Sequence, residues 1–304
     1  MSRFLPERLL ATLRRSVSTR SPYIVGLSAH GAAWQTLDPM RQLHWQHTDW
    51  STIPKAFDKS ALTSWVQTLA LPSGTDIHWM LAPSLIRHWL QSPPALTASL
   101  SELHAVAQAR ATQQFGPSGV ATGSDAVDWT VAADWHATRP FLCAGIATEL
   151  HQALHVASGR TPMIVSPLML ALSQYQHQLP RQGWLALALV DEFHVMQIVG
   201  TRISRLRSVR VAPQTPSLQW EHLVVQEWQR EKLRAQSDAA TLHWLNLAVT
   251  LSSETEPASP SLKPIRRPVA KAARAQALSL PAGPVSEAMQ TAWCGQVLLA
   301  GSPP

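Results

Sequence analysis

The chain has 304 residues, 45% hydrophobic and only 14% charged, with a net charge of +6 and a pI near 9.9. That composition supplies one large or two medium cores, and its positive charge suits an acidic partner, whether anionic lipid or nucleic acid, without choosing between them. The two cysteines, Cys143 and Cys294, lie too far apart in sequence to suggest a disulfide framework, and no apolar run reaches the roughly 18 residues that a membrane-spanning helix needs.

The expected setting is therefore the cytoplasm. Thirteen Trp against two Tyr and five Phe are spread over the whole chain, which assigns them to the core rather than to one stacking surface for bases or sugars. Residues 2–20 carry Arg3, Arg8, Arg14, Arg15 and Arg20 against Glu7 alone, with Phe4, Leu5, Leu9, Leu10, Leu13 and Val17 at helical spacing. This predicts a basic amphipathic helix over 1–20 whose Arg3, Arg8, Arg14 and Arg15 contact a partner or an anionic membrane surface; the plainer reading packs it on its own domain. A three-strand meander follows: Tyr23 to Ser28, a turn at Ala29-His30-Gly31, Ala32 to Leu37, a turn at Asp38-Pro39, and Gln42 to His47. A helix is expected at Phe57 to Leu69 and a strand at Thr75 to Leu81. Leu85 to Leu90 continues in extended or helical form. Leu100 to Phe115 has period-3.6 apolar residues, with Ser99 or Ser101 to cap it and Gly116-Pro117 to end it. A strand pair (Val127 to Ala133, Phe141 to Ala147), a helix (Glu149 to Ala157), a short strand (Met163 to Ser166) and a helix (Leu168 to Leu179) complete this part.

Gly183 to Val211 repeats the meander, with turns at Asp191-Glu192 and Gly200-Thr201 and a bulge expected near Ser208, because Leu206, Val209 and Val211 do not share one parity. A helix at Leu218 to Ala235 and a closing strand at Thr241 to Leu251 follow. Two copies of meander-then-helix argue for an internally duplicated α/β protein. From 253 on, Pro and Ser cluster around Lys263, Arg266, Arg267, Lys271 and Arg274, which predicts a disordered basic tail over 253–304, with Ala292 to Ala300 as a short apolar docking piece. The expected division is 1–20, a first subdomain over 21–180, a second over 181–252, and the tail.

This succession resembles the actin-like ATPase superfamily, a duplicated ribonuclease H-like fold. More narrowly, it resembles PilM of type IV pilus assembly and the cytoplasmic domain of GspL of type II secretion. The residues that carry the likeness are YIVGLSAHGAAWQTL at 23–37, DIHWMLAPSLIRHWL at 76–90, RPFLCAGIATELHQAL at 139–154, MIVSPLMLALSQY at 163–175 and the second meander. The resemblance implies two similar subdomains with ATP held between them, phosphate cradled by a Gly- and hydroxyl-rich turn of each meander, and an acid organising Mg²⁺. Ser28, Gly31 and Asp191 stand at those places. The first turn has no acid, and no Gly or Thr follows Asp191. Val211-Ala212-Pro213 replaces the paired glycines, and 212–251 holds no Gly-rich adenosine loop. Glycine matters there because a Cβ blocks the approach of backbone N–H to phosphate. What the resemblance implies is then a scaffold with no catalytic residues and no cofactor, whose partners are pilus or secretion-system proteins at the inner membrane. The alternatives are a nucleotide-binding ATPase using ATP and Mg²⁺, and a nucleic-acid-binding protein with a basic stripe at Arg202, Arg205, Arg207 and Arg210.

Other chemistry finds weaker footing. Gly26 to Gly31 misses the nucleophile-elbow spacing and leads into a strand rather than a helix. His151 and His155 share a helix face, but no third metal ligand stands at a recognisable spacing, so no metal is expected. The acids Asp125 with Asp128, and Asp191 with Glu192, read as solvated turn residues.

Overall fold

The computed structural model describes residues 23–37, 43–49, 59–68, 77–96, 99–116, 128–158, 162–176, 178–200, 202–212, 215, 217–238, 241–247, 262–264, 290–292 and 294. The basic segment 2–20, with Arg3, Arg8, Arg14 and Arg15, lies outside the described residues.

In chain order the elements are β1 (Tyr23–Leu27), β2 (Gly31–Leu37), β3 (Leu43–Asp49), α1 (Lys59–Thr68), β4 (Ile77–Leu81), β5 (Ile86–Gln91), α2 (Leu100–Phe115), β6 (Trp129–Ala133), β7 (Phe141–Ala147), α3 (Thr148–Ser158), β8 (Met163–Val165), α4 (Pro167–Gln174), β9 (Gln182–Leu189), β10 (Glu192–Val199), β11 (Arg202–Arg210), α5 (Ser217–Arg234), β12 (Leu242–Asn246) and β13 (Leu262–Pro264). The first sheet runs β3-β2-β1-β4-β8, and the second β11-β10-β9-β12-β13. In the first, the β1–β2 and β2–β3 pairs are antiparallel, while β4 lies parallel to both β1 and β8. The second repeats this, with β9–β10 and β10–β11 antiparallel and β12 parallel to β9 and β13. The duplication expected from the two meanders therefore extends to all five strands of each half. A third, antiparallel sheet, β5-β7-β6, is inserted between β4 and α3. It settles Leu85 to Leu90 as a strand.

Burial explains the sequence pattern of β9. Its Leu185, Leu187 and Leu189 enter a core shared with Met80, Leu142, α4 and Leu245, while Trp184, Ala186 and Ala188 enter a second core under Trp220 and Trp228 of α5. A strand covered on both faces is apolar at every position, with the larger residues on one parity. The same two-sided cover explains the mixed parity of β11: Leu206 packs toward the shared core, and Val209 and Val211 toward α5. The irregularity falls at Ser204, since Gln197 pairs Arg205 while the next residue, Ile198, pairs Ile203. The bulge expected near Ser208 is thus corrected: the change of parity there comes from burial on both faces.

On its other side the first sheet packs Trp79, Val25 and Leu27 against Val66 of α1 and Leu150 and Leu154 of α3. The Trp79 indole N–H donates to Ser158 Oγ at 2.9 Å. The inserted sheet is covered by α2, whose Leu103, Ala107 and Ala111 meet Trp89, Trp129 and Phe141. Gly145 sits where those tryptophans close over β7, and a Cβ there would lie 2.8 Å from the Trp89 ring. Ser99 proves to be the cap of α2, forming a capping box with Glu102.

The expectation of a structureless tail is corrected at two places. Leu262–Pro264 is the fifth strand of the second sheet, the counterpart of β8. Residues 290–292 and 294 are helical, Thr291, Ala292 and Cys294 are buried, and Cys294 joins the shared core. The second half therefore reaches past residue 252, and part of the apolar piece assigned to docking packs on its own chain. Three residues ending in Pro leave no alternation to read, and Pro is tolerated because this strand is an edge.

A chain ending at residue 252 is expected to melt well below the full chain and to bind a hydrophobic dye, as calorimetry and dye fluorescence will record. Equal melting of the two chains would contradict the placement of β13 and Cys294.

Candidate functional site

The two hairpin turns that the actin-like resemblance assigns to phosphate are β1–β2 and β9–β10. In the first, Ser28 is 1% exposed, and its Oγ accepts the N–H groups of His30 at 3.2 Å and Gly31 at 3.1 Å. The same hydroxyl lies 3.2 Å from the Gly31 carbonyl, to which it donates, and the Ser28 N–H donates to that carbonyl at 2.8 Å. The Ala29 N–H donates to Ser84 Oγ at 3.1 Å. Ser28 and Gly31 are therefore brought together, but as partners within a serine-closed turn. The amides that a phosphate would need already have acceptors. Nor is Ser28 a nucleophile on an elbow, since it bridges two antiparallel strands.

In the second turn Val190 has φ 54°, a left-handed conformation that glycine adopts freely and a β-branched residue rarely does. The residue is 2% exposed, so protein packs around this turn. Asp191 follows. Burial raises its carboxyl above the ordinary aspartate range; Arg210 is the largest opposing influence, with weaker opposition from its own backbone N–H and from Arg87, while Glu192 adds to the rise. One carboxylate oxygen, Oδ1, is buried with no hydrogen-bond partner. The segment after β4 links the two turns: Ser84 holds Ala29, Arg87 Nη1 donates to the Pro83 carbonyl at 2.7 Å, and the Arg87 charge reaches Asp191.

Beneath the turns, where the halves meet, lies a polar cluster that the sequence reading missed. His88 of β5 and His194 of β10 stand edge to face, ring centroids 5.6 Å apart at 89°. His88 Nε2 and Ser166 Oγ are 2.6 Å apart, and His194 Nδ1 and Ser208 Oγ 2.8 Å. Glu192 Oε1 lies 3.4 Å from His194 Nδ1. Burial lowers His194 to about 3, and burial, His194 and Arg87 together hold His88 well below the usual imidazole range. Both rings are neutral at ordinary pH. The available signal was a histidine at an inward position of each of two apolar strands.

The arginines of β11 do not form a single stripe. Arg205 Nη2 donates to the Arg234 carbonyl at 3.4 Å and Arg207 Nε pairs with Glu227 at 3.3 Å, both on the α5 side, whereas Arg210 acts on Asp191 and Arg202 on Asp134. His151 is lowered by burial and by His155. Among the described residues no three or more His, Cys, Asp or Glu gather as a metal site, and no described helix is long and apolar enough to cross a membrane.

No family model matches the sequence, and no curated protein matches it. Solved structures do. A chain of the PilM–PilN type IV pilus biogenesis complex is similar at TM-score 0.53 and 11% identity, over 92% of this chain and 99% of that one. The cytoplasmic domain of EpsL, an inner membrane component of the type II secretion system of Vibrio cholerae, is similar at TM-score 0.42 and 15% identity, over 80% and 89%. A Bacteroides thetaiotaomicron protein with an actin-like ATPase fold is similar at TM-score 0.41 and 9% identity, over 75% and 84%. With two five-stranded sheets of identical order, the fold is actin-like, as the sequence pattern implied.

An acid raised on folding costs stability as pH rises through the window between its unfolded and folded values. Asp191→Asn is therefore expected to raise the melting temperature at neutral pH, with the gain vanishing below the ordinary aspartate value of 3.8. Equal melting of the natural chain and Asp191→Asn across this pH range would contradict the burial of a raised carboxyl at this turn.

Proposed function

We propose that this actin-like chain is a non-catalytic scaffold of a bacterial type IV pilus or type II secretion-like inner-membrane assembly, and that it binds a partner protein or peptide rather than turning over ATP. One observation carries the reading: Ser28 and Ser84 occupy the amides of the first phosphate turn. The buried Val190 supports it, since protein packs around the second turn that the resemblance assigns to phosphate. The likeness to a chain of a type IV pilus biogenesis complex supplies the choice of assembly. In this reading the partner is the cytoplasmic part of an inner-membrane component of that assembly. The basic segment with Arg3, Arg8, Arg14 and Arg15 adds contact with the partner or with anionic lipid, and the protein works at the cytoplasmic face.

The test has two arms. Calorimetric titration with ATP and Mg²⁺ is expected to give no heat at millimolar nucleotide, and the purified cytoplasmic segments of pilus and secretion inner-membrane proteins are expected to include one that binds. Nucleotide binding tighter than about 100 μM, roughly 5.5 kcal/mol, would contradict the reading and restore the ATPase alternative.

A further inference from the structure

We infer that the His88–His194 pair is a proton-operated latch between the two halves of the molecule. This rests on the seam itself and holds whichever assembly the protein serves. The pair joins three units. His88 belongs to the inserted sheet, its partner Ser166 to the junction of β8 and α4 in the first half, and His194 with Ser208 to the second half. Along β10 the residues of the same parity, Met196 and Ile198, continue into the shared apolar core, as does Leu206 on β11. The latch therefore stands at one end of the surface that holds the halves together.

The charged and titratable groups facing it decide its sign. From β5 comes Arg87, and from the β9–β10 turn and β10 come Asp191 and Glu192. From β11 comes Arg210, which acts on Asp191, while β8–α4 contributes the neutral Ser166. A proton on His194 meets Glu192 at 3.4 Å, so a first charge has one carboxylate nearby. A second, on His88, meets the His194 cation across 5.6 Å and the Arg87 cation on its own strand. Like charges at that separation repel, and opening the seam rehydrates His194, which is 1% exposed, while His88 is half-buried. A histidine lowered on folding contributes stability that is whole above its unfolded value, near 6.5, and is lost as pH falls from there toward the folded value, about 3 for His194.

The two cysteines, neither in a disulfide, report the opening separately, since Cys294 lies in the shared core between the halves and Cys143 in the core of the inserted sheet. The full chain is labelled with a dithiodipyridine reagent, which reacts in acid, and the labelled cysteine is identified by mass spectrometry. Between about pH 8 and about pH 5, the Cys294 rate, divided at each pH by the rate of the same cysteine in the denaturant-unfolded chain to remove the change in thiolate fraction, is expected to rise about thirtyfold for each histidine that gains its proton on opening, with the Cys143 ratio remaining low. The His88→Gln, His194→Gln double variant keeps polar partners for both serines and is expected to lose the acid response. An unchanged Cys294 ratio in the natural chain would overturn the latch, whatever the variant does. So would Cys143 and Cys294 rising together, or a double variant that keeps the acid response.

Discussion

The structure depends on one apolar core that both five-stranded sheets share. Leu185, Leu187 and Leu189 of β9, Met196 and Ile198 of β10, and Leu245 and Leu247 at β12 meet Leu168, Ala171, Leu172 and Tyr175 around α4, with Met80 and Val165 from the first sheet and Cys294 from the far end of the chain. Each fully buried aliphatic side chain there contributes about 1.5–3 kcal/mol, and that burial holds the halves together.

That constraint explains the polar cluster at the rim of the shared core. A polar group taken from water must find a partner, and His88, His194, Ser166 and Ser208 find one another. The turns above them follow the same rule: Ser28 closes its own hairpin, and Ser84 takes the remaining amide. A site that has satisfied its donors internally has little left to offer an anion. The duplicated fold is kept in both halves. Asp191 is poorly accommodated, with an unpartnered oxygen and a carboxyl that burial disfavours as an anion.

The sequence disclosed this architecture wherever pattern and burial agree. The meander from Gly183 to Val211 was legible because β9 alternates large and small apolar residues, and the first hairpin because Gly31 follows its turn. The seam was not legible. His88 lies in LIRHWL, which suits a strand or a helix, and only pairing with β7 shows which way its ring faces. β13 left no trace, since three residues cannot show a period. Ser28 and Gly31 were found as residues, but a serine that cradles phosphate and a serine that closes its own turn look alike until the hydrogen bonds are drawn. The bulge was misplaced because parity alone cannot tell an extra residue from a strand buried on both sides.

The central claim is that the junction of the halves is occupied by the protein's own side chains. Hydrogen–deuterium exchange of the full chain, with and without saturating MgATP, tests it most directly. The account predicts slow exchange over 186–196 and at 28–31 in both conditions, with no change on adding nucleotide. Fast exchange at those turns without nucleotide, slowed when MgATP is present, would mean that the turns are open phosphate sites and would contradict it.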